Sequence, residues 1–203
     1  MPNTVIIGSG CYLPENIIEG SHFKGSVFYD DNNQLIDKPF EEIVEKFVEI
    51  TEIETRRYAN ADEFNSDLGY KASIKAIEDA GIDKETIDYI IYANNFGDVD
   101  GNGMANFMPS LSAKLKNKLG IKNRKCVNYD MIFGCPGWVE ALILADTLIK
   151  ANKAKLILVV GGETLSKVID EFDRNKLIFA DGAGAVVVQA TDEENVGLIT
   201  SET

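Results

Sequence analysis

A cysteine at position 135 sits in the run Gly134-Cys135-Pro136-Gly137-Trp138, where a strand is expected to turn into a helix. Residues 125–133 before it are β-prone, with Val127, Tyr129, Met131 and Phe133 alternating. Residues 138–150 after it are almost wholly apolar and hold no internal breaker. Gly134 and Gly137 suit a tight turn, and Pro136 suits a first helical position. A thiol so placed feels the positive end of the helix dipole, and the N–H groups beside it lack helical partners. Both effects favour the thiolate, which is the nucleophilic form. Cysteine is also common as a buried, inert core residue. Local sequence alone leaves both readings open.

The remaining reactive side chains are few. Cys126 alternates with Asn128 on the strand and reads as core, while Cys11 falls in a turn with no evident chemistry. The three cysteines match no metal-ligand spacing, and no metal or cofactor is called for. His22, the single histidine, lies in a polar N-terminal segment and reads as a surface residue. Asp181-Gly182-Ala183-Gly184-Ala185 contains a Gly-x-Gly, but no strand-then-helix order accompanies it, so phosphate binding is a weak reading. Its glycines suit close passage beside the cysteine turn. Trp138 reads as a packing residue of the helix.

At 203 residues and 45% hydrophobic, the chain is long enough to bury a core. No apolar run is long enough to span a bilayer, and residues 1–10 lack the basic stretch and apolar core of a signal peptide. An odd number of cysteines fits reduced thiols in the cytoplasm. The net charge of −13, spread throughout, argues against a nucleic-acid surface and for solubility.

The elements that must position Cys135 follow from periodicity. Residues 4–10 form a first strand. Residues 26–29 and 34–36 flank a polar turn, a hairpin signature. Pro39 opens a helix to about residue 49, with Phe40, Ile43, Val44, Phe47 and Val48 on one stripe. Ser66 is the expected cap of a helix that Gly81 stops. Residues 87–93 are a continuously apolar strand, as when both faces are covered. Residues 97–106 read as a loop, and a helix runs from Pro109 to Gly120. Strands at 154–160 and 186–190, and a last one at 196–200, complete an α/β chain with a mostly parallel sheet. The helix after Cys135 is apolar around nearly its whole circumference. One sheet covers a helix from one side only, so a second layered unit is implied.

In order and in register, these signals resemble the β-ketoacyl-acyl-carrier-protein synthase III family of the thiolase superfamily, over nearly the full 203 residues as its N-terminal half. The segment from Ile7 to Pro14 is similar to the family's opening strand and turn. Thr55-Arg56-Arg57-Tyr58 falls at its arginine-rich turn. Met108-Pro109-Ser110 and Leu119-Gly120-Ile121-Lys122 keep its spacing, Cys135 stands at its nucleophile, and residues 181–185 look like its glycine signature. The resemblance implies a layered αβαβα architecture, a homodimer, and a decarboxylating Claisen condensation. Cys135 would take an acyl group from coenzyme A or an acyl-carrier protein, and a malonyl-carrier protein would then attack it. It further implies that Met108 reaches a pocket of the partner subunit, with a helix-start contact as the alternative, while Met131 and Phe133 could line an acyl tunnel, with ordinary core as the alternative. The strand before Cys135 would lie at the two-fold axis.

Departures qualify the resemblance. The family pairs its cysteine with a histidine and an asparagine in the C-terminal half, and His22 matches neither motif. The chain therefore reads as the nucleophile-bearing part of a larger enzyme. Where members grip the coenzyme A adenine with a tryptophan and two arginines, this chain has Lys46, Ile50 and Lys167, while Thr51 fits. A lysine meets phosphate but offers no stacking plane, so a carrier-bound donor is comparably plausible. The insert near residues 28–36 and the Cys-Pro-Gly-Trp context look like relatives that join two acyl chains, as in dialkylresorcinol synthesis. A non-catalytic partner subunit and a nucleotide-binding α/β protein are the competing classes. The retained cysteine argues against the first. The absence of a helix directly after Gly8-Ser9-Gly10 argues against the second.

Overall fold

In the computed structural model, which describes residues 2–30, 32 and 34–201, alternating strands and helices assemble around one five-stranded sheet. The chain opens with β1 (Asn3–Tyr12) and the short β2 (Asn16–Glu19), then α1 (Phe40–Thr51) and β3 (Thr55–Tyr58). It continues through α2 (Asn65–Ala80), β4 (Tyr89–Asn94), the small ladder β5 (Asp98–Val99) and β6 (Ala105–Asn106), and α3 (Leu111–Leu119). It closes with β7 (Val127–Ile132), α4 (Gly137–Lys150), β8 (Leu156–Thr164) and β9 (Asp181–Thr191).

The main sheet runs β1-β9-β8-β4-β7. β4 pairs in parallel with β7 and β8, and β9 runs antiparallel to both β8 and β1, so the other four strands share one direction. β4 and β8 are central and apolar on both faces, which drives them to the middle. On one face Leu68, Ala72 and Ala76 of α2 and Leu111 and Leu115 of α3 pack on Ile90, Leu158 and Val187. On the other, Ala141, Ala145 and Ile149 of α4 pack on Ile91, Val159 and Val188. A smaller cluster joins Phe40, Ile43 and Phe47 of α1 to Phe23, Phe28 and Leu177.

β1 and α2 approach so closely that only glycine fits between them. A Cβ at Gly8 would lie 2.5 Å from the Ala76 carbonyl oxygen, and one at Gly10 would lie 2.4 Å from that of Ala72. Packing, not ligand binding, accounts for this Gly-Ser-Gly. A buried hydrogen-bond chain fixes the start of α2 against the sheet. The Tyr92 hydroxyl donates to the Asn65 carbonyl at 2.8 Å, and the Asn65 amide donates to the Gly162 carbonyl at 2.8 Å. At the start of α3 the Asp130 carboxylate of β7 accepts the N–H groups of Leu111 and Ser112, both at 2.8 Å, where the helix dipole favours negative charge.

Several expectations change. Ser66 is not the cap of α2. The helix starts at Asn65, the Asp67 carboxylate accepts the Phe64 N–H at 2.9 Å, and the buried Ser66 bonds Asp98 through both its N–H and its hydroxyl. Pro39 precedes α1 as its cap residue. Residues 97–106 carry a two-strand ladder rather than an open loop. The glycine-containing segment from Asp181 belongs to β9 itself, paired with β8 from Thr164 onward. Residues 196–200 form no strand, although the Leu198 N–H donates to the Thr4 carbonyl at 2.8 Å. The 26–36 hairpin is reduced to one antiparallel bridge, Tyr29 with Leu35, and residues 31 and 33 of its turn lie outside the described residues. α4 is buried on its sheet side, while Val139 is 50% exposed and Ile143, Leu144 and Leu148 are half-buried.

Tyr92 has no solvent exposure, so removing its hydroxyl takes away the single donor that the two Asn65 acceptors share. Tyr92→Phe is expected to lose about 1–3 kcal/mol of unfolding free energy. Chemical denaturation checks this, and a loss within error of zero would show that the Asn65 acceptors find other donors.

Candidate active site

β7 ends at Ile132, and after four intervening residues α4 begins at Gly137. So abrupt a reversal needs a residue in the left-handed region, and Gly134 supplies it with φ of +87°. The Gly137 N–H closes the turn on the Gly134 carbonyl at 3.0 Å. Pro136 is the cap residue of α4 rather than its first helical residue. Cys135 is left exposed at the tip of the turn, at the positive end of a 14-residue helix. The strand-to-helix reading of this turn therefore holds, and the thiol is not buried in the core.

The thiol opens into a cleft of about 860 Å³ at the carboxyl ends of β4 and β8, the usual ligand side of parallel strands. Ala93, Asn94 and Asn95 follow from β4, and Gly161, Gly162 and Glu163 from β8. Trp138 lies against Gly161, as befits a packing residue. The first residues of β9 complete the floor with small side chains. Cys11 reaches the same cleft from β1, and its exposure matches that of Cys135 in class. Cys126 is buried, and burial raises its thiol pKa.

Two polar residues stand behind the cysteine turn. Asn95 Oδ1 accepts the Gly134 N–H at 2.9 Å, and the Asn95 backbone N–H donates to the Glu163 carboxylate. Burial pushes Glu163 up to about 7, against the opposing pull of its hydrogen bonds from Asn95 and with a further push from the Asp181 charge. Asp181 is itself buried and fully engaged. It accepts the Ala59 N–H at 2.8 Å and both the N–H and the hydroxyl of Ser166. It is a structural latch between β9, the end of β3 and the turn after β8. Neither Asn95 nor Glu163 follows from motif reasoning. The available signal is positional: each is a polar residue just where an apolar strand ends at the cleft.

The other residues singled out lie apart from this cleft. Met131 packs in the core cluster under α4, while Phe133, 54% exposed, follows the end of β7. Met108 is 79% exposed and borders a different depression with Phe107 and Lys114. Thr51 closes α1, its hydroxyl donating to the Phe47 carbonyl at 2.8 Å, and with Lys46 and Ile50 it lines a groove of about 450 Å³ that includes Lys38 and Arg174. Lys167 points elsewhere, its ammonium on the carbonyls of Ala61 and Glu63. His22 stacks edge-on against Phe23 and Tyr58, away from the cleft. Among the described residues no cluster of His, Cys, Asp and Glu is arranged to hold a metal ion.

A profile of the 3-oxoacyl-[acyl-carrier-protein] synthase III family matches residues 129–203, the stretch that holds the cysteine turn, α4, β8 and β9. Beta-ketoacyl-[acyl-carrier-protein] synthase III 1 of Vibrio vulnificus is 40% identical over 192 residues, which cover 94% of this chain and 54% of that protein. The crystal structure of β-ketoacyl-[acyl-carrier-protein] synthase III from Thermus thermophilus superposes with a TM-score of 0.75 at 32% identity, covering 95% of this chain and 53% of that one. Over nearly its whole length the chain is similar to β-ketoacyl-[acyl-carrier-protein] synthase III proteins. The synthase III fold is thiolase-like, and the sheet with α2 and α3 on one face and α4 on the other is its form here. The chain spans about half the length of the synthase III relatives it matches. A synthase III from Aquifex aeolicus agrees, with a TM-score of 0.73 at 30% identity over 94% of this chain and 55% of that one.

Exposure alone does not separate Cys135 from Cys11, but only Cys135 stands at a helix start. Limiting iodoacetamide near neutral pH, followed by peptide mapping, is expected to label Cys135 ahead of Cys11, with Cys126 last. Cys11 labelled well before Cys135 in the folded protein would contradict the assignment.

Proposed function

We propose that this chain carries the acyl-accepting centre of a decarboxylating Claisen condensation, in fatty acid or related polyketide-type biosynthesis. The observation that supports this most is the exposed Cys135 on a glycine turn at a helix start, open to a cleft at the carboxyl ends of two parallel strands. Cys135 Sγ attacks the carbonyl carbon of an acyl thioester. The bond to the donor sulfur breaks, the donor leaves as a thiol after taking a proton, and the acyl group stays on Cys135. The oxyanion formed on the way needs preorganised donors, and the backbone N–H of Cys135 is the local one. In the second half-reaction a malonyl carrier loses carbon dioxide. The electron pair left on its α-carbon forms the new carbon–carbon bond, and Cys135 departs as thiolate.

The second half-reaction builds negative charge on the extender thioester, which family members meet with a histidine and an asparagine. His22 lies away from the cleft, so we assign those roles to a C-terminal half, with this chain as a single nucleophile-bearing domain over residues 1–203. The uncovered side of α4, with Val139 exposed, is the face such a half would bury. The donor is coenzyme A- or carrier-bound. In the groove beside Thr51, Lys38, Lys46 and Arg174 supply cations while Ile50 offers no stacking plane, so the groove favours neither donor over the other. A cytoplasmic setting fits, and no helix among the described residues is long and apolar enough to cross a membrane. The scaffold reading loses ground because a partner subunit has no need of an accessible thiol in the cleft.

Incubation with acyl thioesters of coenzyme A and of a carrier protein, followed by intact-mass analysis, is expected to add one acyl group, lost in Cys135→Ala. With a malonyl carrier added, this chain by itself should give no sustained carbon dioxide release or ketoacyl product. Sustained turnover would contradict the division between halves and turn attention to His22.

We also place a homodimer axis at β7, the edge strand whose outer backbone groups are unpaired in this sheet. Ile132 and Phe133 are exposed at its end, 60% and 54%, and two-fold pairing would cover them and bring Met108 toward the partner's acyl pocket. Sedimentation is expected to give twice the chain mass, reduced to a monomer by Ile132→Lys. A monomer for the parent would remove Met108 from the pocket.

A further inference from the structure

Gly134 must adopt its left-handed conformation and also hold still, and its N–H is anchored by a side chain of a different strand. Asn95, just past β4, accepts that N–H on Oδ1 at 2.9 Å. Something must hold Asn95 itself in place. Glu163 does so: its carboxylate accepts the Asn95 backbone N–H. A charged acceptor makes the stronger hydrogen bond. Glutamine or a protonated carboxyl takes that N–H less tightly.

We propose that Glu163 and Asn95 are positioning residues for the nucleophile, a strut from β8 through β4 that fixes the Gly134 N–H and thereby the placement of the Cys135 thiol. The proposal rests on the reading of Cys135 as the reactive group. No substrate contact is assigned to either residue. The charged groups that face the strut are few: Asp181 on β9 acts on Glu163, and Lys75 of α2 lines the same cleft with its ammonium on the Cys11 carbonyl at 2.9 Å.

The strut runs against stability, and that separates it from ordinary packing. Burial raises Glu163 from its ordinary 4.5 to about 7, so the folded protein favours the protonated form. Ionisation of Glu163 therefore removes stability as pH rises from about 4.5 to about 7, and a neutral glutamine escapes that loss. Glu163→Gln should accordingly gain thermal stability relative to the parent as pH goes from 5 to 8, while losing the ordered turn.

The test measures iodoacetamide labelling of Cys135 relative to Cys11 in the full 203-residue chain at pH 8, where Glu163 is ionised. Buried Cys126 serves as the control for unfolding. Glu163→Gln and Asn95→Ala are each expected to lower the Cys135 to Cys11 ratio roughly 2- to 10-fold, the worth of one hydrogen bond, with Cys126 still protected. The double variant should fall no further than Asn95→Ala alone, because Glu163 acts through Asn95. An unchanged ratio in both single variants, additive losses, or a Glu163→Gln protein less stable than the parent at pH 8 would each overturn the proposal. If the parent itself shows no preference for Cys135, the nucleophile reading fails, and that outcome is distinct from the others.

Discussion

The reversal between β7 and α4 is the constraint on which the rest of the site depends. Four residues separate a strand from a helix, and within them a thiol must face outward while the backbone doubles back. Gly134 at φ +87° makes the reversal sterically possible, and the hydrogen bond from Gly137 to Gly134 closes it. A side chain at position 134 would meet the usual penalty of the left-handed region. The result is an exposed thiol set at the positive end of a helix.

Everything around the turn serves to keep its backdrop rigid. The row Cys11, Gly184, Gly161 and Ala93 crosses the sheet in register, so the cleft floor is built from small residues on paired strands. Behind the sheet, Tyr92, Asn65 and the Gly162 carbonyl lock α2 onto β4 and β8. Asp130 does the same for α3 while sitting on β7 itself, five residues before Cys135. Buried polar groups are expensive unless satisfied, and here each joins a helix start to the strand that carries the site.

Sequence patterns exposed the parts governed by local physics. The apolar runs of β4 and β8, the breaker Gly81 and the cysteine turn are written in residue type and spacing, and a family resemblance tied them together. What stayed hidden depends on contacts between distant segments. Ser66 has the composition of a helix cap, yet Asp98, thirty-two residues on, claims it. The glycines after Asp181 look like a loop, but β8 draws them into a strand. Asn95 and Glu163 match no motif, because their meeting requires β4 and β8 to be neighbours. The circumferentially apolar helix after Cys135 was legible in composition, and its half-covered state shows how that surplus is distributed: inward to the sheet, and outward at Val139.

Substrate protection tests the account most directly, because it ties the thiol to the acyl group in one measurement. The protein is preincubated with an acyl thioester and then treated with limiting iodoacetamide, and adducts at Cys135 and Cys11 are compared by mass. The account predicts that acylation shields Cys135 while labelling of Cys11 remains within about twofold of its unprotected rate, since an ordinary change of environment shifts reactivity only modestly. Undiminished labelling of Cys135 under conditions that acylate the protein elsewhere would contradict it.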